Sequence, residues 1–460
     1  MKQTLLLLLG IIFCNANAKS TSGLPDPLNS KPLTVYTLTV FDQVLFYDGY
    51  AATVTAPPPP ADVIRHRNDL YARKLTDEQL QAFGPQLIMN VTVKASCDNY
   101  DRIGNVNLAF VPKGATTYSP NDVQRIELGR FITPFMNKNV SPNQVPYTFN
   151  VSNAARIFKD PSITAIYDIW VELEIFGVPY AAQTQISGCA GRNDVFFGTL
   201  EFVSETDIID TDGINYILPL SFKKDLNNYS ASGTDVIGQT VRTINFNLPT
   251  NVSDASFYLI TSNHGANAGG EEYNRRYHYI YLDNSQVLVY RPGSPTCEPF
   301  RMYNTQANGI YGATPRTNAE WQSFSNWCPG DVIPIRQISL GNLAAGPHSF
   351  KITVPDAQFV DQQGYIPVSL YFQGTLATPL NTIESSRNTF SLFPNPSNNE
   401  VNIQSDSEIT GTLIYNVLGQ EILRSNAGNP IILNAIPNGV YMVKVLFADG
   451  GTATKQVIKN

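Results

Sequence analysis

Apolar and polar residues alternate along much of the chain, in short segments that turn residues separate. Clear examples run over residues 34–44, 87–93, 163–176, 257–261 and 277–282. Successive side chains of a strand point to opposite faces, so this period of two predicts half-buried β-strands. Short strands separated by frequent turns are typical of sandwiches and jelly rolls. The pattern therefore predicts an all-β fold for the main body of the chain.

One segment departs from this pattern. Residues 61–84 follow four prolines at 57–60 and have a helical pattern. Thr76 and Gln79 have the spacing of a capping box at the start of a helix. We predict a helical insertion at 61–84 within the first domain.

Changes in composition divide the chain into domains. A strand-rich block ends near residue 203, and a Ser-, Thr- and Asn-rich stretch begins at residue 378. A chain of 460 residues is long enough for two or three independent cores. The predicted parts are a signal peptide at 1–18, a first domain at 34–203, a second domain at 204–378, a linker at 379–389 and a C-terminal domain at 390–460.

The N-terminal residues have the features of a secretory signal peptide. Lys2 precedes a short apolar run, and small residues lead to a predicted cleavage site after Ala18. The run is too short to span a bilayer, and no other stretch of the sequence is long and apolar enough to do so. Lipidation of Cys14 is an alternative, but the bulky Phe13 before it argues against that interpretation.

Charge and composition narrow the range of partners. The net charge is −7, without basic runs, which argues against binding to nucleic acid or to an anionic membrane. The 23 Tyr and 24 Phe residues, with only 15% charged residues, suit many short strands and a surface that faces sugars or peptides. We expect no cofactor and a monomer.

The cysteines predict disulfide bonds. Once Cys14 has left with the signal peptide, Cys97, Cys189, Cys297 and Cys328 remain. An even number in an exported chain indicates bridges, and no CxxC or Cys/His cluster offers a metal site. Four cysteines can pair in three ways. We favour Cys97–Cys189 and Cys297–Cys328, because each bridge then stays within one predicted domain.

Two carboxylates in the first domain are candidate catalytic groups. Asp101 lies between Tyr100 and Arg102, which could stack on a sugar and orient the acid. The same order of residues is also common in ordinary β-turns. Asp168 shares a predicted strand face with Trp170, and further acids follow at Glu172 and Glu174. Such a face suits either a polar cleft or a solvated outer surface.

A third candidate acid, Glu272, lies in the second domain. Alternation predicts that Glu272 shares one strand face with Asn274, Arg276 and His278. Burial of such a face would be costly without a function, whereas exposure would cost little. Upstream, the glycine-containing loop around His264 either approaches a ligand closely or simply forms a turn.

Four segments resemble the peptide-N-glycosidase F family, in the family's own order. The third segment aligns Glu272-Tyr273 with a Glu-Trp pair, and the string Gly-Arg-Phe-Ile-Thr-Pro is the most specific match. The resemblance spans about 34–378 and includes a bridge at the Cys297–Cys328 positions. The four segments are Cys97 to Arg102 with Asn105 and Val106, residues 128–135, Glu272 and Tyr273 with Arg276 and His278, and Trp327 to Gly330 with Pro334 and Arg336.

The resemblance implies two adjacent eight-stranded antiparallel jelly rolls with a cleft between them. Such enzymes hydrolyse the amide between Asn and the first N-acetylglucosamine of N-linked glycoproteins or glycopeptides, leaving Asp and a glycosylamine. Asp101 matches the family's principal catalytic Asp and Glu272 its second essential acid. Asp168 falls where the family has a Glu. On this basis we expect Asp101 to be the acid at the reacting group, Glu272 to hold or activate water, and Asp168 to position the sugar.

Further residues are expected to contact the substrate. The resemblance places several of them at the glycan site, and Tyr100, His264 and Arg276 join them because of their positions beside the candidate acids. The full set is Tyr100, Arg102, Ile132, Trp170, His264, Arg276 and Trp327.

Other positions depart from the family and leave a second interpretation open. The departures are Thr92, Gly270 and Asn274 where the family has cysteines, Tyr100 in place of a Trp, Asp168 in place of a Glu, and Phe324 in place of an Arg. The last two favour a non-catalytic glycan-binding protein that uses the same cleft. Retention of Asp101, Arg102 and Glu272 favours the amidase. Copper monooxygenase chemistry is a third class, but the four histidines contain no His-x-His pair to bind copper.

The C-terminal segment has motifs of its own. Pro394-Asn395-Pro396 is followed by Tyr415-Asn416 with Gly419, by Gly439 with Tyr441, and by terminal lysines. The pattern predicts a small seven-strand β-sandwich. The motifs resemble the C-terminal sorting domain of the type IX secretion system. The resemblance implies that the secretion machinery is a partner and that the protein reaches the cell surface or the medium.

Overall fold

The computed structural model describes residues 34–205, 215–323, 325–376, 390–405, 407–425, 430–448 and 451–460. The predicted signal peptide and linker lie outside these ranges, as does Phe324. The described chain is almost entirely antiparallel β-sheet, which confirms the all-β prediction. None of its helices is long and apolar enough to cross a membrane.

The first half of the body, between residues 34 and 205, contains nine strands and four short helices. The strands are β1 (Val35–Tyr47), β2 (Val63–Arg67), β3 (Leu70–Lys74), β4 (Gln86–Ala95), β5 (Ile103–Pro112), β6 (Gln124–Ile132), β7 (Gln144–Asn150), β8 (Tyr167–Ile175) and β9 (Asp194–Glu205). The helices are α1 (Asp77–Ala82), α2 (Ser152–Lys159), α3 (Pro161–Thr164) and α4 (Ala182–Gln185). The strands form one sheet in the order β1-β9-β4-β7 and a second in the order β6-β5-β8-β3-β2.

The second half continues with strands in two four-stranded sheets. The strands are β10 (Tyr216–Leu226), β11 (Val241–Leu248), β12 (Val252–Thr261), β13 (His278–Leu282), β14 (Ser285–Tyr290), β15 (Val332–Ile333), β16 (Arg336–Leu343), β17 (Gly346–Thr353) and β18 (Ile366–Leu376). The sheets have the orders β10-β18-β12-β16 and β11-β17-β13-β14. Short helical segments are α5 (Asn318–Gln322) and three 3₁₀ turns at Glu271–Tyr273, Glu298–Tyr303 and Val360–Gln362.

Both halves have the strand order of a jelly roll. With β2 and β15 left aside, each half has eight strands, and in each the first, eighth, third and sixth strands form one sheet. The second, seventh, fourth and fifth strands form the facing sheet. This interleaving of two Greek keys defines the jelly roll and confirms the predicted architecture. Each half has its own apolar core between its two sheets.

The two jelly rolls are joined through a buried interface. Strand β15 of the second half pairs with β6 of the first, with Val332 opposite Phe131. Nearby, Arg130 forms a fully buried ion pair with Glu127, at 2.7 Å between Nη2 and Oε2. Arg130 also donates through Nη1 to the Pro367 carbonyl of the second half, at 2.9 Å. A charged pair buried with its hydrogen bonds satisfied favours one relative arrangement of the two halves.

The prediction of a helical insertion at 61–84 is wrong for most of that segment. The chain forms the β2–β3 hairpin there, and only α1 is helical. Strand β3 pairs with β8 and buries Tyr71 in the first core, a tertiary gain that outweighs local helix preference. Thr76 and Gln79 do form the predicted capping box.

The four remaining cysteines form the two predicted bridges. Cys97 is bonded to Cys189 and Cys297 to Cys328, with Cα atoms 5.5 Å and 5.3 Å apart. Both pairings are therefore confirmed. The first bridge lies directly before the segment that carries Asp101, and it ties that segment to the chain that leads into β9.

The C-terminal module is a small sandwich with its own apolar core. Its described part contains seven strands, as predicted. They are β19 (Phe390–Phe393), β20 (Glu400–Ser405), β21 (Ile409–Asn416), β22 (Glu421–Ser425), β23 (Ile431–Ile432), β24 (Gly439–Phe447) and β25 (Thr452–Lys459). They form one sheet in the order β19-β20-β23 and another in the order β22-β21-β24-β25.

Candidate active site

Asp101 lies in the short connection between β4 and β5, and a buried neighbour holds this connection in place. The Asp98 carboxylate accepts hydrogen bonds from the Val178 amide at 2.7 Å and from the Tyr100 amide at 2.9 Å. It also accepts one from Arg102 Nε at 2.7 Å. Arg102 therefore pairs with Asp98, and the Asp101 carboxylate is left for other interactions.

Glu272 lies in the 3₁₀ turn between β12 and β13, on the second jelly roll. Asn326 holds this turn by donating through Nδ2 to the carbonyl oxygens of Glu271 and Glu272, both at 2.7 Å. The Gly265 amide faces the Glu272 carboxylate, 3.4 Å from Oε2. The loop is tight, because a Cβ atom at Gly270 would lie 1.9 Å from the Gly265 carbonyl oxygen. Its glycines thus close a turn that positions Glu272.

The two acids influence each other electrostatically. Burial raises the pKa of Asp101 to about 7, and the nearby Glu272 charge contributes to the rise while Arg102 opposes it. Burial also raises the pKa of Glu272, against the hydrogen bonds from Tyr273 and Gly265. Asp101 Oδ2 is buried without a hydrogen-bond partner among the described residues. Neighbouring carboxyl groups with raised pKa values can hold one proton between them near neutral pH, which is the property that acid–base catalysis needs.

Ile132 and Trp327 form part of the wall beside the acids. They belong to one apolar cluster with Ile260 and Ile333, at the junction of the two jelly rolls. Trp327 Nε1 donates to the Asn263 carbonyl at 3.1 Å. Both predicted substrate-binding side chains are buried in this structure, so they shape the wall rather than offer an open platform.

Tyr100 and Arg102 lie at the edge of the site. Tyr100 is 41% exposed, and the Arg102 guanidinium carbon lies 5.3 Å from the centroid of its ring. Thr133 fixes their backbone, since its hydroxyl accepts from the Arg102 amide at 2.8 Å and donates to the Tyr100 carbonyl at 3.0 Å. An exposed aromatic ring backed by a cation is suited to contact with a sugar or peptide.

His264 is close to the acids but is buried in the wall. Its Nε2 shares a hydrogen bond with the Ser262 hydroxyl at 2.7 Å, and its ring lies 6.0 Å from that of Trp327. Burial, together with the charge of Arg130, lowers the pKa of His264 to about 3, so the ring is neutral near pH 7. The structure therefore gives His264 a packing role between the site and the interface.

The predicted common face of Glu272, Asn274, Arg276 and His278 is wrong. Strand β13 begins only at His278, and Glu272 is in the 3₁₀ turn, which the Gly265 to Gly270 loop and Asn326 impose. Arg276 pairs with Glu271 instead, at 3.0 Å between Nη2 and Oε1. His278 is fully buried.

The structure does not bring Asp168 and Trp170 to the acids. Asp168 opposes Val111, whereas Ile175 opposes Gly104 near Asp101, so seven residues of β8, about 23 Å, separate the two ends. Asp168 accepts from the Gly114 amide at 2.9 Å and pairs with two lysines at that far end. Trp170 is buried in a separate apolar cluster. Their assignment to the site is therefore corrected. Alternation predicts which face of a strand a side chain lies on, but it does not predict which end of the strand lies at the site.

Glu174 lies at the near end of β8 and Phe176 directly after it, and neither was among the predicted site residues. They line a cavity of about 370 Å³ between the two jelly rolls, next to the Asp101 segment. Glu174 is 2.7 Å from Lys223 Nζ of the second half. Glu174 and Phe176 have the same spacing as Asp168 and Trp170, an acid two residues before an aromatic. This spacing is the sequence signal that could have identified them as site residues. The cavity is lined by Tyr50, Asp69, Ile103, Asn105, Arg130, Glu174, Phe176, Lys223, Asp225, Tyr365 and Pro367.

The cavity and the acid pair are neighbours. Ile103 lies two residues after Asp101. Tyr365 exchanges backbone hydrogen bonds with His264, both at 3.0 Å. Burial is the main cause of the raised pKa of the Tyr365 hydroxyl, and the Glu272 charge adds to that rise. Across the described ranges, no group of three or more His, Cys, Asp or Glu side chains is arranged to hold a metal ion.

Family comparisons account for both jelly rolls. Residues 37–189 match the N-terminal domain of peptide-N-glycosidase F, and residues 233–373 match its C-terminal domain. The chain belongs to the peptide-N-glycosidase F family. Residues 391–460 match the secretion system C-terminal sorting domain, which directs this family member to the cell surface or the medium by type IX secretion.

Three solved structures are similar to this chain, and PNGF-II, with the TM-score above 0.5, shares its fold. PNGF-II is 19% identical, with a TM-score of 0.54, and the match covers 75% of this chain and 66% of PNGF-II. Recombinant peptide: N-glycanase F is 16% identical, with a TM-score of 0.45 over 74% of this chain and 96% of that one. PNGase F of Flavobacterium meningosepticum, described as a glycosylasparaginase, is 15% identical, with a TM-score of 0.44 over 75% and 96%. No curated protein sequence matches the chain significantly. The match with PNGF-II covers about two thirds of the length of that protein.

Proposed function

We propose that this protein is a secreted amidase that acts on N-linked glycoproteins or glycopeptides. It hydrolyses the bond between the Asn side chain and the first N-acetylglucosamine, leaving Asp and a glycosylamine. The observation that carries this proposal is the pair of neighbouring acids, Asp101 and Glu272, one from each jelly roll. One oxygen of Asp101 is buried without a hydrogen-bond partner in the described structure, so no structural contact occupies it.

Amide hydrolysis needs a proton acceptor and a proton donor at the same centre. Glu272, ionised, takes a proton from water as the water oxygen bonds to the amide carbon. Asp101, protonated because burial and Glu272 raise its pKa to about 7, gives its proton to the amide nitrogen. The carbon–nitrogen bond then breaks, and the nitrogen leaves with the sugar. Water and the amide supply every atom of the products, so the step needs no cofactor.

The cavity between the jelly rolls supports the proposal, because it offers space for a sugar next to the segment that carries Asp101. Its volume of about 370 Å³ is within the range of small-ligand sites. Asn105, Glu174 and Lys223 offer polar groups, while aromatic rings complete the lining. Although burial opposes its ionisation, Lys223 and Arg67 hold the pKa of Glu174 below its usual value. In this proposal, Glu174 takes the sugar-positioning role that the sequence assigned to Asp168.

Conversion of Asn to Asp tests the proposal directly. A denatured N-glycoprotein is incubated with the purified protein, and its peptides are analysed by mass spectrometry. We expect Asp at the former glycosylation sites and a free glycan. Asp101→Asn is the matched control, because it keeps the side-chain shape and should bind glycopeptide without converting it. Tight glycopeptide binding by the parent protein without any conversion would instead identify a glycan-binding protein.

A further inference from the structure

Tyr273 lies directly beside the acid pair and has no role in the proposal above. Its hydroxyl is hydrogen-bonded to the Glu272 side chain, and the charge of Asp101 contributes, after burial and Glu272, to the raised pKa of this hydroxyl. The backbone of the turn is held in place: the Asn274 amide donates to the Glu271 carbonyl at 3.2 Å, and Asn274 Nδ2 donates to the Gly270 carbonyl at 2.8 Å. The phenol is thus part of the site's fixed geometry.

The hydrogen bonds around the two acids are unequal. The Glu272 carboxylate accepts a hydrogen bond from the Tyr273 hydroxyl and faces the Gly265 amide at 3.4 Å. Both groups stabilise the charged form of Glu272. Asp101 has one buried oxygen without any partner in the described structure. Arg102 is the cation that acts on Asp101, but it is paired with Asp98, whose charge acts in the opposite direction. Of the other titratable groups, Tyr365 faces Glu272 as a neutral phenol.

We propose that Tyr273 is a positioning residue that fixes which acid of the pair holds the shared proton. Its O–H donates to Glu272 and keeps that group ionised, so the proton stays on Asp101. This inference rests on the proposed amidase function and adds the division of labour that the function needs. A phenol oxygen can also accept a hydrogen bond, so Tyr273 can orient the attacking water while it donates to Glu272.

The position separates this chain from the pattern of its family. The resemblance aligns Tyr273 with a Trp, and an indole N–H is a donor that cannot accept. Tyr and Trp can both donate a hydrogen bond to the preceding glutamate, but only the phenol can also accept a hydrogen bond from water. Tyr273→Trp therefore asks whether donation alone is sufficient, and Tyr273→Phe removes donation and acceptance together.

The pH dependence of the reaction distinguishes this role from simple packing. In Tyr273→Phe, loss of the donor raises the pKa of Glu272, so the acidic limb of the kcat/KM profile should move up by about one pH unit. The maximal rate should fall about tenfold or more, with KM nearly unchanged. The matched control is Tyr277→Phe, since Tyr277 is an exposed tyrosine four residues further along the same loop. A uniform loss of rate with an unshifted profile would overturn the proposal.

A second measurement separates this inference from the amidase proposal. The Glu272 carboxyl is titrated by NMR in protein with labelled glutamate, with Glu272→Gln used to assign its signal. If the parent shows no conversion but Tyr273→Phe raises the Glu272 midpoint, the amidase proposal fails and the proton assignment holds. If conversion occurs but the midpoint is the same in both proteins, the proton assignment is wrong. Tyr273→Trp should restore the midpoint but only part of the rate, and an unrestored midpoint would contradict donation as the cause.

Discussion

The two ends of strand β8 carry similar side chains and have different surroundings. At one end, Asp168 is paired with Lys74 and Lys113, both well exposed, and Trp170 is packed among apolar residues of the first jelly roll alone. At the other end, Glu174 and Phe176 line the cavity between the two halves. At this second end, charged and polar groups of the two jelly rolls meet, as in the ion pair between Glu174 and Lys223.

The difference comes from what lies opposite the strand rather than from the strand itself. Lys223 reaches Glu174 and Asn105 from β10, where an irregular register and a left-handed backbone with φ of 45° point it across the interface. The Ser369 hydroxyl accepts from the Lys223 amide at 2.9 Å and helps to hold this conformation. A bulge of this kind re-aims a side chain and is a common device beside functional sites. The second jelly roll thus makes a site of one end of β8.

The largest expected effect distinguishes the acid pair from the far end of β8. Asp101→Asn should lower kcat/KM for a glycopeptide by about 1,000-fold or more, because the amide side chain cannot act as the proton donor. Asp168→Asn, which makes the same chemical change at the far end, serves as its control. Comparable losses in both variants would contradict the placement of the site.

The next effect tests the near end of β8. Glu174→Gln should lower kcat/KM about 10–100-fold, since it removes a charged hydrogen-bond acceptor from the sugar cavity and leaves Lys223 without its ion-pair partner. The loss should be similar for glycopeptides that carry one sugar and for those that carry a long glycan, because the sugar beside the scissile amide is common to both. Activity within about twofold of the parent on both substrates would place Glu174 outside the sugar site.

Asp101→Asn and Asp168→Asn should change the free energy of unfolding in opposite directions. Burial raises the pKa of Asp101 from 3.8 to about 7, so the folded protein loses stability as the pH rises through that interval. Asp101→Asn should therefore raise the free energy of unfolding at about pH 8 by roughly 1–3 kcal/mol. Denaturant unfolding at acidic and alkaline pH measures this, and a stabilisation that is independent of pH would contradict the assigned pKa.

At Asp168 the sign is reversed and the effect is smaller. Burial opposes its ionisation, but the Gly114 amide and the two lysines lower its pKa below 3.8, so its contribution is present at neutral pH and is lost as the pH falls. Asp168→Asn should lower the free energy of unfolding by about 0–1 kcal/mol, because the lysines are partly exposed. Activity should stay within about twofold of the parent, and Asp168→Glu should bring no gain. A gain with Glu would support the role that the sequence assigned.

Much of this arrangement could be read from the sequence where local rules decide. Alternation predicted the strands, and the Thr76 capping box formed as expected. The bridges followed from keeping each pair within one domain. Asp101 and Glu272 came from motifs, and the structure places them close enough to interact.

The failures lie where tertiary contacts decide. Residues 61–84 have helical features, but pairing of β3 with β8 turns most of them into a hairpin. Alternation around Glu272 predicted a strand, whereas hydrogen bonds from Asn326, more than 50 residues away, impose a 3₁₀ turn. Glu174 was on the predicted face, but nothing local to β8 shows that Lys223 lies opposite it.

Single-turnover conversion of a glycopeptide in isotopically labelled water tests the central claim most directly. With the protein in excess over the glycopeptide, we expect one labelled oxygen in the new Asp side chain and a glycosylamine that carries no label when first released. Asp168→Asn should give the same products at a rate within about twofold of the parent's, and Asp101→Asn should give none. Label in the released sugar rather than in the peptide would mean that a glycosidic bond is cleaved, and it would contradict hydrolysis of the Asn amide by the Asp101–Glu272 pair.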